Sequence, residues 1–133
     1  MKLPYEIIPC ITYTGCAEEA VNYYVSFFPN SKIETLEYYK PGERGVEGKV
    51  SKAAFRLMDK LFIAFDMEES ECPAHNWAIS FYINCIDEIL FDNIFEKLSE
   101  NGTVLMGPDA FSIYRKAAWV TDKYGITWQL ILE

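Results

Sequence analysis

Lys116-Ala117-Ala118-Trp119-Val120-Thr121-Asp122-Lys123-Tyr124-Gly125-Ile126-Thr127-Trp128-Gln129-Leu130-Ile131-Leu132-Glu133 is the segment around which the rest of the chain is organised. It consists of two short apolar runs rich in strand formers, joined by a turn at Asp122-Lys123-Tyr124-Gly125. Sixty-four positions earlier the chain carries nearly the same text. Lys52-Ala53-Ala54-Phe55 matches Lys116-Ala117-Ala118-Trp119, Asp59-Lys60 matches Asp122-Lys123, and the run 61–65 matches 126–132. Self-similarity of this kind marks one supersecondary unit used twice, so the expectation is a two-module architecture.

Outward from the repeat, residues 7–13 read as a first strand that ends at Thr14-Gly15. Ala17, Val21, Tyr24 and Phe28 then recur at helical spacing, with Glu18 and Glu19 in the first turn, where the helix dipole favours acids. Pro29-Asn30 stops that helix. Residues 32–39 are strand-like, and residues 40–48, with one proline and three glycines, are expected to form a mobile hairpin, or a lid over a pocket. Residues 49–66 predict two strands facing each other across Met58-Asp59-Lys60, and residues 68–76 an acidic connector holding the single histidine, His75.

The second half repeats the plan. Residues 77–84 alternate, with Ile79, Phe81 and Ile83 on one face and Ser80, Tyr82 and Asn84 on the other. Asp87 is a good N-cap for a helix whose apolar stripe is Ile86, Leu90, Ile94 and Leu98, closed by Asn101-Gly102. Residues 103–106 predict a short strand broken at Gly107-Pro108-Asp109, and residues 114–120 and 126–132 the last hairpin. Each half is thus βαβββ. The predicted class is α+β, one domain over residues 1–133 with modules at about 5–68 and 76–133.

Composition narrows the function. The chain has 133 residues, half of them hydrophobic and 16% aromatic, enough to bury a core without disulfide staples. It has no apolar run of the roughly eighteen residues a membrane helix needs and no charged-then-apolar leader at residues 1–5. A soluble, cytoplasmic protein with no membrane partner is expected. Twenty acidic against twelve basic residues give a net charge of -8, which repels a phosphate backbone, so no nucleic-acid partner is expected.

Cys10, Cys16, Cys72 and Cys85 form no Cys-x-x-Cys pair and read as reduced thiols. Cys72-Pro73-Ala74-His75, joined by Cys10 or Cys16, supplies one tight ligand pair where structural zinc sites present two. Small buried residues and a polar loop are the simpler account.

The residues also carry a resemblance. Gly15-Cys16-Ala17-Glu18-Glu19-Ala20, the aromatic pair Tyr23-Tyr24 and Phe28-Pro29-Asn30-Ser31 closely resemble the opening of the PhnB-like branch of the vicinal oxygen chelate superfamily, which includes glyoxalase I, bleomycin-binding proteins, fosfomycin-resistance enzymes and extradiol dioxygenases. The likeness continues through Ala54-Phe55, Ile79-Ser80-Phe81, the Asp122-to-Gly125 turn and Trp128-Gln129, over almost the whole chain. It implies curved mixed sheets enclosing a pocket, with helices on the convex face. It also implies a homodimer, by analogy with superfamily members that complete each other's pocket.

In metal-dependent members of the superfamily the ligands are His or Gln, Glu, His and Glu on strands bordering that pocket. Carried over, the first position falls on Ile8 or Pro9, the next on Ala64 or Asp66, the third on Ser80 and the last on Gln129. One carboxylate with neutral donors supplies too little charge for a hard divalent ion. No cofactor and no tightly held metal are therefore expected. The alternation at Ser80, Tyr82 and Asn84 reads equally as a ligand-facing surface or as a merely solvated strand face.

Two readings of function follow. The first is a metal-free pocket for a small, partly aromatic molecule, lined by Thr12, Ala64, Asp66, Ser80, Tyr82, Trp119, Trp128 and Gln129, with the aromatic rings stacking and Asp66, Ser80 and Gln129 hydrogen-bonding. The alternative is a lyase, isomerase or other enzyme of the superfamily. It would use Asp66 as a general base raised in pKa beside Phe62 and Phe65, or a divalent metal weakly held by Asp66, Gln129 and His75. The label of ubiquinone methyltransferase, often applied across the branch, gains no support from the residues. A methyl donor usually sits on a Gly-rich turn between strand and helix, whereas Gly42, Gly45 and Gly48 lie between two strands.

Overall fold

The computed structural model describes residues 5–133. Its elements are β1 (Cys10–Tyr13), α1 (Ala17–Phe27), β2 (Lys32–Tyr38), β3 (Val50–Leu57), β4 (Lys60–Asp66), β5 (Phe81–Cys85), α2 (Glu88–Ser99), β6 (Thr103–Phe111), β7 (Tyr114–Thr121) and β8 (Thr127–Leu132). The chain divides into two compact units between Pro73 and Ala74. Each holds one helix and one open four-stranded mixed sheet, in the orders β1-β4-β3-β2 and β5-β8-β7-β6. The outer strand β1 runs parallel to β4 and β5 runs parallel to β8, while the remaining pairs are antiparallel. The two sheets therefore have the same connectivity, and the α+β class with two βαβββ modules is what the chain adopts.

In the first unit α1 packs on β3, β4 and β2 through Ala17, Ala20, Val21 and Tyr24, all fully buried. The sheet face that meets it is identified by two contacts: the Tyr13 hydroxyl lies 3.4 Å from that of Tyr24, and the Asp66 carboxylate accepts from the Ala17 amide at 3.0 Å. Tyr13 pairs with Asp66 and Ile11 with Ala64, which in turn pairs with Ala53. Because strand side chains alternate, Ile11, Tyr13, Ala53, Phe55, Phe62, Ala64 and Asp66 share this helix side. The Phe55 and Phe62 rings stack there at 5.6 Å. The β3–β4 hairpin turns through Met58 and Asp59, both with positive φ (49° and 66°), the conformation that a tight two-residue turn between twisted strands requires.

In the second unit Asp87 caps α2 by accepting from the Leu90 amide at 2.7 Å, as its position predicts. The buried stripe is Phe91, Ile94 and Leu98 rather than Ile86, Leu90, Ile94 and Leu98. Ile86 precedes the cap and is 87% exposed, because the helical phase starts only at Glu88. On the sheet, Lys116 of β7 reaches Glu88 at 2.8 Å and Asp92 at 2.9 Å, and its ammonium sits over the Phe91 ring. Lys116, Ala118 and Val120 thus point toward α2, together with their pairing partners Trp128, Leu130 and Leu132.

Two further expectations are corrected. β5 begins at Phe81, and the preceding residues 77–80 turn instead of extending, which leaves Ile79 78% exposed rather than on an inward face. β6 does not stop at Gly107-Pro108-Asp109 but runs to Phe111, with its pairing to β7 shifting register on either side of Met106 and Asp109. An edge strand tolerates proline because a missing N–H can face solvent. Gly107 (φ 79°) is required there, since a Cβ would overlap the Ala117 carbonyl.

Candidate functional site

Alternation sends Tyr82 and Asn84 of β5, Ala117 and Trp119 of β7, and Gln129 of β8 to the sheet face turned away from α2. Gln129 is the hub: it pairs in register with Tyr82 on one side and Trp119 on the other. Its Nε2 donates to the Ser80 hydroxyl oxygen at 2.8 Å. Four of the predicted site residues, Ser80, Tyr82, Trp119 and Gln129, therefore do converge.

To them the fold adds Trp77, which spacing assigned only to a strand. Its indole stacks on that of Trp119, ring centres 5.5 Å apart and planes 28° from parallel, while Trp77 itself stays 59% exposed. The Trp119 Nε1–H is buried and has no hydrogen-bond partner among the described residues. Leaving such a donor unsatisfied costs about 1–3 kcal/mol. Tyr82 is 53% exposed. A hydrogen bond with Tyr114, some desolvation and the nearby charges of Tyr114 and Glu133 raise its phenol above the usual tyrosine range, so at neutral pH it is an uncharged hydroxyl.

The remaining predicted residues go elsewhere. Trp128 is 2% exposed on the α2 side, with its Nε1 donating to the Asp122 carboxylate at 2.9 Å, so it is a core residue and offers no stacking face. Ala64 is fully buried on the α1 side. Thr12 lies on the opposite side of the first sheet, paired with Phe65, and its carbonyl faces the Cys72 thiol at 3.9 Å.

Asp66 was the candidate base, and the structure gives it other work. It is 3% exposed, and its carboxylate accepts from the Gly15, Ala17 and Val50 amides at 2.8, 3.0 and 3.0 Å. α1 has no side-chain cap of its own, with Cys16 at its N-cap position. Asp66 supplies that cap from β4, where a carboxylate also meets the positive end of the helix dipole. An acceptor enclosed by three backbone donors and shut off from solvent is a structural anchor rather than a proton shuttle.

Two clefts open beside it in the first unit. One, of about 210 Å³, is lined by Tyr39, Arg44, Phe65, Met67, Glu68 and Glu71 among others. The other, of about 170 Å³, includes Thr14, Val46, Lys49 and Glu69. The residue 40–48 segment bordering them is tied down by backbone bonds from Gly48 to Tyr39, Lys49 to Val46 and Glu43 to Lys40. Gly45 packs so tightly under the Tyr39 ring that a Cβ would overlap it.

Metal ligation fits poorly at the transferred positions. Ser80 and Gln129 are neutral and bond each other, while the carboxylate of Asp66 is consumed by amides. Among the described residues no three His, Cys, Asp or Glu side chains gather closely enough to hold an ion. His75 is exposed, with its Cβ against Gly125. Cys85 is buried, which together with Asp87 pushes its thiol up to about 11, away from the thiolate a metal needs. Among the described residues no helix is long and apolar enough to cross a membrane.

Comparison with known proteins places this geometry in a family. The PhnB protein of Bacillus cereus is 34% identical and superposes with a TM-score of 0.90 over 97% of this chain and 100% of that one. Protein PA1353 of Pseudomonas aeruginosa shares the fold at 20% identity and a TM-score of 0.81, covering 97% of this chain and 98% of that one. The fosfomycin resistance protein FosX of Mesorhizobium loti shares it at 9% and 0.65, covering 99% and 94%. No curated protein matches. The family model described as 3-demethylubiquinone-9 3-methyltransferase matches residues 5–131. The chain accordingly belongs to that family, the PhnB-like branch of the vicinal oxygen chelate superfamily.

Proposed function

We propose that this protein binds a small, planar, partly aromatic molecule without a tightly held metal, on the face of the second sheet shared by Trp119, Tyr82, Ser80 and Gln129. The observation that carries the reading is the Gln129–Ser80 hydrogen bond beside the Trp77–Trp119 stack. It combines flat apolar surface with neutral, directional polar groups, the composition of a small-molecule site rather than of a hydrolytic centre. Neutral donors at the positions where metal-dependent relatives place ligands favour recognition by stacking and hydrogen bonding.

The methyl transfer in the family's description finds little to support it in this chain. The glycines at 42, 45 and 48 lie in the connection from β2 to β3, and no helix N-terminus follows them to receive a nucleotide-like donor. Catalysis by Asp66 is disfavoured by its enclosure.

Tryptophan fluorescence tests the proposal. Chelator-treated protein titrated with naphthalene, quinoline and similar two-ring probes is expected to show saturable quenching, with Kd on the order of 1 mM or tighter for ligands of this size. Trp119→Ala is expected to weaken it about tenfold through loss of the stack. Absence of saturable quenching by every probe, or binding restored only by added divalent ion, rejects it.

A further inference from the structure

The hydrogen bond between Gln129 and Ser80 uses only part of what the two side chains offer. One amide hydrogen of Gln129 goes to the Ser80 hydroxyl oxygen at 2.8 Å. A primary amide also carries a carbonyl oxygen with two lone pairs, and a serine hydroxyl that accepts still has its own hydrogen to donate. Among the described residues neither the Gln129 Oε1 nor the Ser80 O–H has a further partner. Gln129 sits within β8, paired in register with Tyr82 and Trp119, and Ser80 follows a turn held by the Ala78 amide donating to the Asn76 side-chain oxygen at 2.7 Å. Both side chains are half-buried, so a molecule on this face reaches them.

We infer that the pair reads a donor beside an acceptor on the edge of the ligand: the Gln129 Oε1 accepts from a ring N–H, and the Ser80 O–H donates to the neighbouring carbonyl. The ligand class is a neutral, flat cyclic amide, a lactam fused to an aromatic ring. This rests on the reading above that the face binds a flat molecule, and it adds the class of molecule and the two residues that select it. A ring carboxylate of similar outline is disfavoured twice. It sets a bare oxygen against the Gln129 carbonyl, and it approaches a chain of net charge -8. A polar group that hydrogen-bonds one ligand discriminates against a like-shaped ligand without the matching group, because it is stripped of water and left unpaired.

Carbostyril and coumarin are matched for this purpose, the first a lactam and the second the lactone of the same shape, with a ring oxygen in place of the N–H. In chelator-treated wild-type protein carbostyril is expected to bind about tenfold more tightly than coumarin in an NMR titration. Gln129→Leu, which keeps the bulk and removes the acceptor, is expected to abolish the preference by weakening carbostyril. Ser80→Ala is expected to weaken both by up to about tenfold and to preserve their ratio, because both carry the carbonyl.

In the wild-type protein the Gln129 side-chain amide resonances are expected to move further with carbostyril than with coumarin. That measurement stands even if Gln129→Leu misfolds. Equal affinity for the two probes with equal resonance shifts overturns the inference while leaving the binding reading intact, as does a folded Gln129→Leu protein that keeps the preference. Failure of carbostyril to bind where quinoline and naphthalene do has the same meaning. Failure of all four to bind overturns the binding reading and this inference with it.

Discussion

Phe55 in the first module and Trp119 in the second hold the fourth position of the same Lys-Ala-Ala-aromatic tetrapeptide, yet they face opposite ways. Phe55 is fully buried on the side of β3 that meets α1, whereas Trp119 lies on the side of β7 turned from α2 and carries the stacked Trp77. The repeat that reveals the architecture is thus one residue out of phase with the sheets. Lys52 is exposed on the far side of β3, while Lys116 points under α2 to Glu88 and Asp92. Since side chains alternate with period two, a one-residue slip exchanges every inward residue for an outward one. The slip moves the aromatic from the helix side of the sheet to the opposite face, where Trp119 lies beside its register partner Gln129.

The modules also differ in how their helices start. α2 is capped by Asp87, one residue before it, and α1 by Asp66, which arrives from β4 some fifty residues away in sequence. Removing the distant cap is expected to have the largest effect. Asp66→Ala strips a charged acceptor from three backbone amides and is expected to cost about 5 kcal/mol, against about 1 kcal/mol for Asp87→Ala. Urea denaturation of both variants measures the difference, and equal losses would erase the contrast between a local cap and one supplied across the fold.

Next in size is the face exchange itself. Phe55→Ala leaves a hole beneath α1 and is expected to lose about 4 kcal/mol, whereas Trp119→Ala loses a single stack, about 1 kcal/mol. Matching losses in thermal denaturation would mean that the two aromatics face the same way.

The smallest effect is a pH dependence. Tyr38 in the first module donates to Glu18 at 2.8 Å, and Tyr82 in the second hydrogen-bonds Tyr114. Both phenols are raised above the ordinary 10.0, the first chiefly by its bond to the Glu18 carboxylate and the second chiefly by its bond to Tyr114. Because folding favours the protonated form, the stabilisation is complete below the ordinary tyrosine pKa and disappears as pH rises through the raised one. Tyr114→Phe is expected to return Tyr82 toward its ordinary value and to leave Tyr38 unmoved in an ultraviolet titration of tyrosinate. A shift at both, or at neither, would remove the local cause assigned to Tyr82.

Much of this molecule follows from local chemistry. The order of strands and helices, the Asp87 cap and the Met58-Asp59 turn are legible in the sequence because each depends on neighbours within a few positions, and the two-module plan because the same pattern is written twice along the chain. Local pattern also misleads where two periods overlap. Residues 77–80 alternate as a strand does, yet they turn, and Ile86 fits a helical stripe that begins only after the cap.

Local sequence accounts for the connectivity and for the stock of aromatic and neutral polar residues available for a site. Which of them meet is settled by long-range pairing. Trp128 and Gln129 are adjacent in the chain, and the pleat sends one into the core beside Asp122 and the other to the open face beside Ser80. Asp66 reads as a reactive carboxylate until the Gly15, Ala17 and Val50 amides close around it. Side-chain direction depends on strand register, and register is fixed by pairing with residues far away in sequence, so the faces of these sheets are a property of the folded chain alone.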